Sequence, residues 1–331
     1  MSKRSKSSSN LLEVKNIKHY FPITKGVILR KNVGTVKAVD GVSFEIKPKE
    51  TFGLVGESGC GKSTLAKIIL QSIKPNEGSI IFNGTDVTNL KGNSILPFRS
   101  QVSIVFQDPY SSLNPRMTVK KIVAEPLITH NLAEGGKKDK MVIDVMERVG
   151  LPRQMLDRYP HEFSGGQRQR IAIARALVLK PKLVVADEPV AALDVSVQAQ
   201  ILNLMKELQE NLDLAYLIIS HDLNVVKYMS DRIAVMYLGR IVELGSSSDV
   251  FYKSSHPYTK ALLSAAPIPD PSLKVNRVIL KGDVPSPSKV PSGCAFHPRC
   301  YMSKEICSSK DVSLDKVKDE QWSSCHFPEE V

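Results

Sequence analysis

Long hydrophobic runs are missing from this chain of 331 residues. No apolar stretch approaches the roughly 20 residues that a membrane-spanning helix needs. The first ten residues, Met1 to Asn10, are rich in Lys and Ser and hold no apolar segment. They read as a flexible cytoplasmic tail and not as a secretory signal. Cysteine is nearly absent from the main body: Cys60 stands alone, and Cys294, Cys300, Cys307 and Cys325 crowd the C-terminal end. A secreted domain stapled by disulfides would spread its cysteines through the fold. Internal repeats are also lacking.

What is present is ordinary globular material. Hydrophobic residues make up 42% of the chain, enough for a sizeable core. The length suits two domains, or one large domain with an appendage. The net charge of +11 admits nucleic acid, an anionic membrane face or phosphate ligands as partners. The basic residues are scattered, with small clusters at Lys3-Arg4, Arg30-Lys31 and Lys137-Lys138. Scatter favours a solvated surface near a membrane over a nucleic-acid stripe.

Short apolar runs alternate with helical patterns. Strands are expected at Leu11–Asn16, Val42–Ile46, Thr51–Val55, Gly78–Phe82, Leu183–Ala186 and Tyr216–Ser220. A Gly-rich, basic loop is expected over Thr24–Lys37. Helices are expected at Lys62–Gln71 and Val195–Asn211, with a largely helical stretch over Pro126–Leu177 broken at Gly135-Gly136, Pro152 and Pro160. Arg232–Leu244 reads as a hairpin turning at Gly239-Arg240. This alternation implies an α/β fold with a parallel sheet covered on both faces. Beyond Ser255, the prolines at 267, 269, 271, 285, 287, 291 and 298 fill a stretch with little periodicity, an appendage without a second hydrophobic core.

The segment Gly56-Glu57-Ser58-Gly59-Cys60-Gly61-Lys62-Ser63-Thr64 fits the P-loop pattern. Its glycines let successive backbone N–H groups turn inward as an anion nest. The following helix points its positive end at the same phosphates. Lys62 supplies a point charge for the β- and γ-phosphates, and the Ser63 hydroxyl is placed to ligate Mg²⁺. A buried strand before the loop and an apolar-faced helix after it are the context that this motif requires.

Leu183 to Glu188 is an apolar strand that ends in two acids. Beside a P-loop, Asp187 suits a partner of Mg²⁺ and Glu188 suits the polarisation of an attacking water. Taken alone, Asp-Glu after a strand is more often the start of a loop. His221 follows the strand Tyr216–Ser220; a parallel strand ending beside the P-loop strand would bring it to the γ-phosphate. Gln107 follows the apolar run Val102–Phe106 and is within reach of both Mg²⁺ and water.

Phe163-Ser164-Gly165-Gly166-Gln167-Arg168-Gln169-Arg170 resembles the signature motif of ABC transporter ATPases. Gln107, Asp187-Glu188, Ala192-Leu193-Asp194 and His221 occur in that family's order and spacing, over roughly Leu11 to Ser255. The resemblance implies an ABC-type P-loop NTPase domain with a RecA-like core, an antiparallel β-subdomain and a helical subdomain. The domains are then a tail at 1–10, an ATPase domain at 11–255 with its helical subdomain at about 108–178, and an extension with four cysteines at 256–331. It also implies that Ser164, Gly165, Gly166, Gln167 and Asp194 act in trans, on a nucleotide held by a second chain. The residue pattern agrees: Ser-Gly-Gly before a helix is a cap plus a bare anion site with no lysine of its own. By the same resemblance Tyr20 stacks on adenine, Gln107 senses Mg²⁺ and contacts the membrane subunit, Glu188 is the catalytic base and His221 the switch histidine. One position departs from close relatives: Ala191 stands where serine is common, which removes a hydroxyl from the interface between chains.

A narrower likeness lies in Phe106 to Pro115, Tyr159 to Phe163, His256-Pro257-Tyr258-Thr259 and Gly293 to Cys300. These resemble the ATPases of dipeptide/oligopeptide importers, in particular the second ATPase of the pair; nickel and glutathione importers are close relations. The implied partners are a sister ATPase, two transmembrane permeases and an extracytoplasmic peptide-binding protein, with the chain peripheral on the cytoplasmic face of the membrane. A nucleic-acid machine and a non-hydrolysing regulatory subunit are competing readings. The short interval from Gln107 to Ser164 disfavours the first. The presence of Lys62, Glu188 and His221 disfavours the second.

The last four cysteines could ligate a [4Fe–4S] cluster or Zn²⁺. None of their gaps is the tight C-x-x-C of a zinc ribbon, while His297 and His326 keep mixed zinc ligation open. Disulfides and free thiols are the remaining readings. The resemblance to peptide-importer ATPases implies the cluster, in a structural role.

Overall fold

The structure, a computed structural model, describes residues 10–25, 31–265 and 278–331. Residues 1–9 of the expected tail, Arg30, and Pro267, Pro269 and Pro271 of the expected appendage lie outside the described residues. The chain divides into two compact units, one of residues 1–11, 46–51 and 89–219 and the other of residues 12–45, 52–88 and 220–331.

In the first unit the strands Val102–Val105, Leu183–Asp187 and Ala215–Ser220 run parallel, with Val102 opposite Leu183 and Leu183 opposite Ala215. Leu183 to Ala186 and all of Ala215–Ser220 are buried. Strands covered on both faces need such continuous apolar runs. Helices Val119–Thr129, Gly135–Arg148, Gly165–Leu177 and Val195–Leu212 belong to the same unit. Pro126 does not open a helix as expected but lies inside Val119–Thr129. The buried stripe of Val119, Ile122, Val123 and Leu127 carries the helix through the one donor that proline lacks.

In the second unit the strands Leu12–Lys25 and Glu77–Phe82 pair antiparallel, Leu12 opposite Phe82, in a sheet that also holds Lys31–Ile46 and Thr85–Asp86. The loop expected over Thr24–Lys37 is instead strand at residues 24–25 and 31–37. The same long strand carries Val39, Val42, Phe44 and Ile46 into the core, while Gly34 and the basic residues mask its outer part in the sequence.

The P-loop strand runs parallel to Arg232–Tyr237, Phe52 opposite Arg232 and Val55 opposite Val235. The chain then makes the expected hairpin into Arg240–Ser246, turning at Leu238-Gly239, one residue before the expected Gly239-Arg240. The appendage is more integrated than its composition suggests. Gln321–Ser323 pairs antiparallel with Arg240–Ser246, and Asp315–Lys318 pairs beyond it. A buried polar cluster fastens this edge. The fully buried Glu243 accepts the Ser255 N–H at 2.7 Å and the Gln321 amide at 3.0 Å, while Ser323 Oγ donates to the Ser255 carbonyl at 2.7 Å.

Burial pushes the Glu243 carboxyl up to about 7, against the lowering effect of hydrogen bonds from Thr259, Ser255 and Gln321. The folded state therefore holds a proton that the unfolded chain releases near the ordinary carboxylate value. The stability linked to that proton is present at low pH and is lost as pH rises through about 7. Relative to wild type, Glu243→Gln should change stability little at pH 4.5 and should gain roughly 3 kcal/mol by pH 8, since each tenfold change in proton affinity is worth about 1.4 kcal/mol. Urea unfolding of both proteins across this range checks it. A gain that does not vary with pH would contradict it.

Candidate functional site

The second unit holds the glycine-rich loop that the sequence marks as a phosphate cradle. The strand Thr51–Val55 is buried throughout and delivers the chain into Gly56–Gly61, after which the helix Lys62–Ile69 begins. Gly61 has φ 110°, and a Cβ there would lie 2.0 Å from the Ala38 carbonyl oxygen; at Gly56 it would lie 2.2 Å from that of Met236. No residue with a side chain fits either position, so the backbone can turn its N–H groups to the open side. Lys62 is buried, and its ammonium donates to the carbonyls of Gly56 at 2.7 Å and Glu57 at 3.0 Å. A cation thus sits at the centre of the loop, while Ser58, Gly59 and Ser63 are exposed and Gly61 and Thr64 half-buried. Burial raises the Cys60 thiol, against the lowering effect of the neighbouring Lys62.

Tyr20 is in the same unit and is pinned. Its hydroxyl donates to Asp40 Oδ1 at 2.5 Å, and the Arg240 guanidinium grips Oδ2 of the same carboxylate at 2.7 and 2.9 Å. Burial, reinforced by Asp40, pushes the Tyr20 phenol up to about 12. Burial works against the Asp40 charge as well, but the bonds from Tyr20 and Arg240 overcome it and hold the carboxyl below its usual range. The Lys37 ammonium lies 5.8 Å from the Tyr20 ring centroid. The ring is held as a fixed plate, which suits stacking on a base. His221, exposed and immediately after Ala215–Ser220, also falls within this unit.

The first unit carries the acids and the serine-glycine turn. Asp187 ends its strand half-buried. Glu188 follows with φ 51°, a left-handed conformation that a non-glycine residue adopts only under constraint. Its own N–H fixes it by donating to the Ile219 carbonyl at 2.8 Å. Gln107, exposed at the end of Val102–Val105, donates its amide to Glu188 Oε2 at 2.7 Å, so two residues 81 positions apart converge as the motif order suggested. Ala191 retains a backbone role, its N–H donating to the Glu188 carbonyl at 3.2 Å.

Ser164 caps the helix Gly165–Leu177. The Gln167 N–H donates to Ser164 Oγ at 3.3 Å and Ser164 N–H donates to Gln167 Oε1 at 3.1 Å, a reciprocal box that fixes the turn. The helix begins at Gly165, two residues before the expected start at Gln167. Its first turn, with Gly166 and Gln167, is only half-buried, so its donors are open to an anion. Two arginines of this helix, not singled out from the sequence, hold the segment after Gln107. Arg168 lies 3.9 Å from the Tyr110 ring centroid, and Arg175 donates to the Ser112 carbonyl at 2.5 Å. Asp194 occupies the N-cap position of Val195–Leu212, although its side chain does not cap that helix.

A family profile described as ABC transporter matches residues 39–191, and one described as oligopeptide/dipeptide transporter, C-terminal region, matches residues 242–307. The chain is 50% identical to the oligopeptide transport ATP-binding protein AppF of Bacillus subtilis over 97% of its own length and 98% of the relative's. It is 46% identical to the dipeptide transport ATP-binding protein DppF of Haemophilus influenzae over 98% and 99% of the two lengths. This chain belongs to the ABC transporter ATPases. Among solved structures, the dimeric post-hydrolysis ATP-binding cassette MJ0796 bound to ADP and Pi matches with a TM-score of 0.63 at 28% identity, covering 71% of this chain and 98% of that one. The P-loop and the signature turn are therefore those of an ATPase. Among the described residues, no helix of this ABC ATPase is long and apolar enough to cross a membrane.

The C-terminal region brings its four cysteines to one cavity, lined by Cys294, Cys300, Cys307 and Cys325 together with His297, His326 and Met302. All four thiols are free. Burial raises Cys294, Cys300 and Cys325, the last to about 11 with its three neighbours adding to the rise. Among the described residues, no group of three or more His, Cys, Asp or Glu is arranged to hold a metal ion. The same region reaches the cradle. Arg299 forms a two-pronged bond to Glu57, at 2.8 and 3.0 Å, and the Glu57 N–H donates to Tyr258 Oη at 2.9 Å. The sequence carries no local sign of this contact, because the partners stand 242 residues apart.

Gly61→Ala, with its Cβ forced against the Ala38 carbonyl, should fold with a disturbed loop and bind ATP at least roughly tenfold more weakly by calorimetry, the scale of about 1.4 kcal/mol of lost contact. Unchanged affinity would show that the loop tolerates a side chain there.

Proposed function

We propose that this ATPase powers the uptake of dipeptides or oligopeptides across the cytoplasmic membrane. The observation that carries the cargo is the near-full-length likeness to AppF and DppF, which extends through the C-terminal region that a transporter ATPase need not have. In this reading the chain sits on the cytoplasmic face against two transmembrane permeases, pairs with a sister ATPase, and serves an extracytoplasmic peptide-binding protein. Dimeric ATP-binding cassettes among the structural relatives support the pairing.

The residues take the following roles. Gly56 to Thr64 cradle the phosphates of ATP, with Lys62 as the fixed charge, and Tyr20 stacks on the adenine. Ser164, Gly165, Gly166, Gln167 and Asp194 address the nucleotide held by the partner chain. Glu188 is the general base that takes a proton from the attacking water. Its carboxylate is oriented by Gln107, and its backbone by the bond to Ile219. His221 senses the γ-phosphate. Ser63, Asp187 and Gln107 offer a hydroxyl, a carboxylate and an amide carbonyl, the hard oxygen donors that Mg²⁺ prefers. With its Nε2 committed to Glu188, Gln107 has its carbonyl oxygen to offer. Bound Mg²⁺ would offset the phosphate charge.

The four cysteines suit a [4Fe–4S] cluster in donor chemistry, though not in the arrangement they adopt here. Four soft ligands face one buried space, and Cys325 Sγ accepts the Phe327 N–H at 3.4 Å, a bond of the kind that steadies cluster thiolates. Zinc is the second candidate. Both imidazoles at the cavity lie 3.0 Å from backbone carbonyls, His297 from Cys294 and His326 from Lys310, which engages one nitrogen of each. The group would supply order to a lobe with few apolar residues.

Cells that lack the chain should lose uptake of labelled di- and oligopeptides. The wild-type chain should restore it and Glu188→Gln should not, with turnover at least roughly a hundredfold lower while ATP affinity stays within about twofold. Full uptake with Glu188→Gln, or unaltered peptide uptake without the chain, would contradict the reading. Protein purified without oxygen should be brown and carry about four iron and four sulfide per chain. Colourless protein with stoichiometric zinc would show that the cysteines hold zinc.

A further inference from the structure

The phosphate cradle contains an acid. Glu57 is the second residue of the loop, so an acid belongs to the segment that, in the proposed reading, receives several negative charges. Unpaired, it would repel them over the whole of the loop's dimensions. It is not unpaired. Arg299, 8% exposed, meets it with both terminal guanidinium nitrogens at 2.8 and 3.0 Å. A planar fork on a carboxylate is the geometry in which an arginine is most firmly oriented.

The arginine itself is anchored. It ends the short turn His297–Arg299, which follows Phe296, 1% exposed. The Phe296 ring packs on Tyr237 and Tyr258 with centroids 5.3 and 5.4 Å apart, and those two tyrosines are 4.7 Å from each other. Tyr258 Oη in turn accepts the Glu57 N–H at 2.9 Å. The second loop residue is therefore held at its side chain and at its backbone, both times from the C-terminal region.

We propose that Arg299 is a positioning residue for nucleotide binding: it neutralises the acid built into the phosphate loop and fixes that loop's first turn from the cysteine-bearing lobe. The proposal rests on the reading of Gly56 to Thr64 as the phosphate cradle. The glutamate in this loop is offset by the counter-charge that the lobe supplies. The contribution is electrostatic, so it grows with the charge of the ligand, ATP above ADP above AMP, and it is screened by salt.

The test is a double-variant cycle on the full chain, with affinities for ATP, ADP and AMP measured at low and high salt. Arg299→Met should weaken ATP binding roughly tenfold at low salt, less for ADP and least for AMP, the scale expected of one uncompensated charge near the phosphates. Glu57→Gln, which leaves Arg299 in place without its acid, should bind ATP more tightly than wild type and with a steeper loss in salt. The double variant should return to within about twofold of wild type, because the acid and its partner leave together. A purely structural role for Arg299 would show neither rescue by Glu57→Gln nor dependence on phosphate charge. Either wild-type affinity in Arg299→Met or a double variant as weak as the single one overturns the proposal. Should Arg299→Met fail to fold, Glu57→Gln decides alone: its ATP affinity must exceed that of wild type and fall more steeply with salt, and equal affinity and slope overturn the proposal. Lys62→Met separates the two claims. Retained ATP binding in that variant would sink the cradle reading, whereas lost binding there with indifferent Arg299→Met would sink only the role of Arg299.

Discussion

A chain of phosphates is best held by donors already fixed before it arrives, and in the proposed site those donors are the backbone itself. That requires a loop whose turns admit no side chain. Gly61 at φ 110° beneath the Ala38 carbonyl, and Gly56 beneath the Met236 carbonyl, satisfy it. The neighbourhood follows from the same demand. The carbonyls that crowd the glycines come from the adjoining strands, the Cys60 carbonyl receives the Gly239 N–H at 2.9 Å, and Lys62 is buried so that its charge sits inside the loop.

The chain presents two arrays aimed at phosphate, one in each compact unit. The cradle owns a lysine. The signature turn, Ser164 with Gly165 and Gly166, owns none and offers only a capped helix start. A bare helix terminus binds anions weakly unless the anion is supplied by other groups. In the proposed reading this asymmetry is the physical reason to share a nucleotide between chains: one chain would contribute the charge and its partner the dipole. The same economy of charge explains Glu57. An acid in the cradle is tolerated because Arg299 accompanies it, and the C-terminal region becomes part of the ATP-binding machinery as well as an addition to it.

Much of this was legible in the sequence because the motifs are local. The P-loop, the strand ending in Asp187-Glu188 and the capped turn at Ser164 each declare themselves within about ten residues. Their helices and strands were placed to within a few positions, Val195–Leu212 against an expected Val195–Asn211 for one. What escaped was long-range or masked. The strand over residues 31–37 was hidden by Gly34 and lysines. The helix Val119–Thr129 was hidden by Pro126, whose local cost is outweighed by a buried stripe. The strand Gln321–Ser323 has only three residues, and Glu243 and Ser255 fasten it. The Arg299–Glu57 and Tyr20–Asp40–Arg240 contacts join positions 242, 20 and 200 apart, where no periodicity can point.

The central claim is that the signature turn acts on a partner's nucleotide and not on its own. Gly165→Asp tests it most directly. An aspartate suits the first turn of a helix, so the fold should survive, while its charge would face the incoming phosphate. ATP affinity of the isolated chain, measured beside steady-state hydrolysis by the assembled transporter, is the decisive pair of numbers. Affinity should stay within about twofold of wild type while hydrolysis falls at least roughly a hundredfold, the scale set by losing about 2.7 kcal/mol of transition-state stabilisation. Undiminished hydrolysis, or ATP binding lost in the isolated chain, would contradict it.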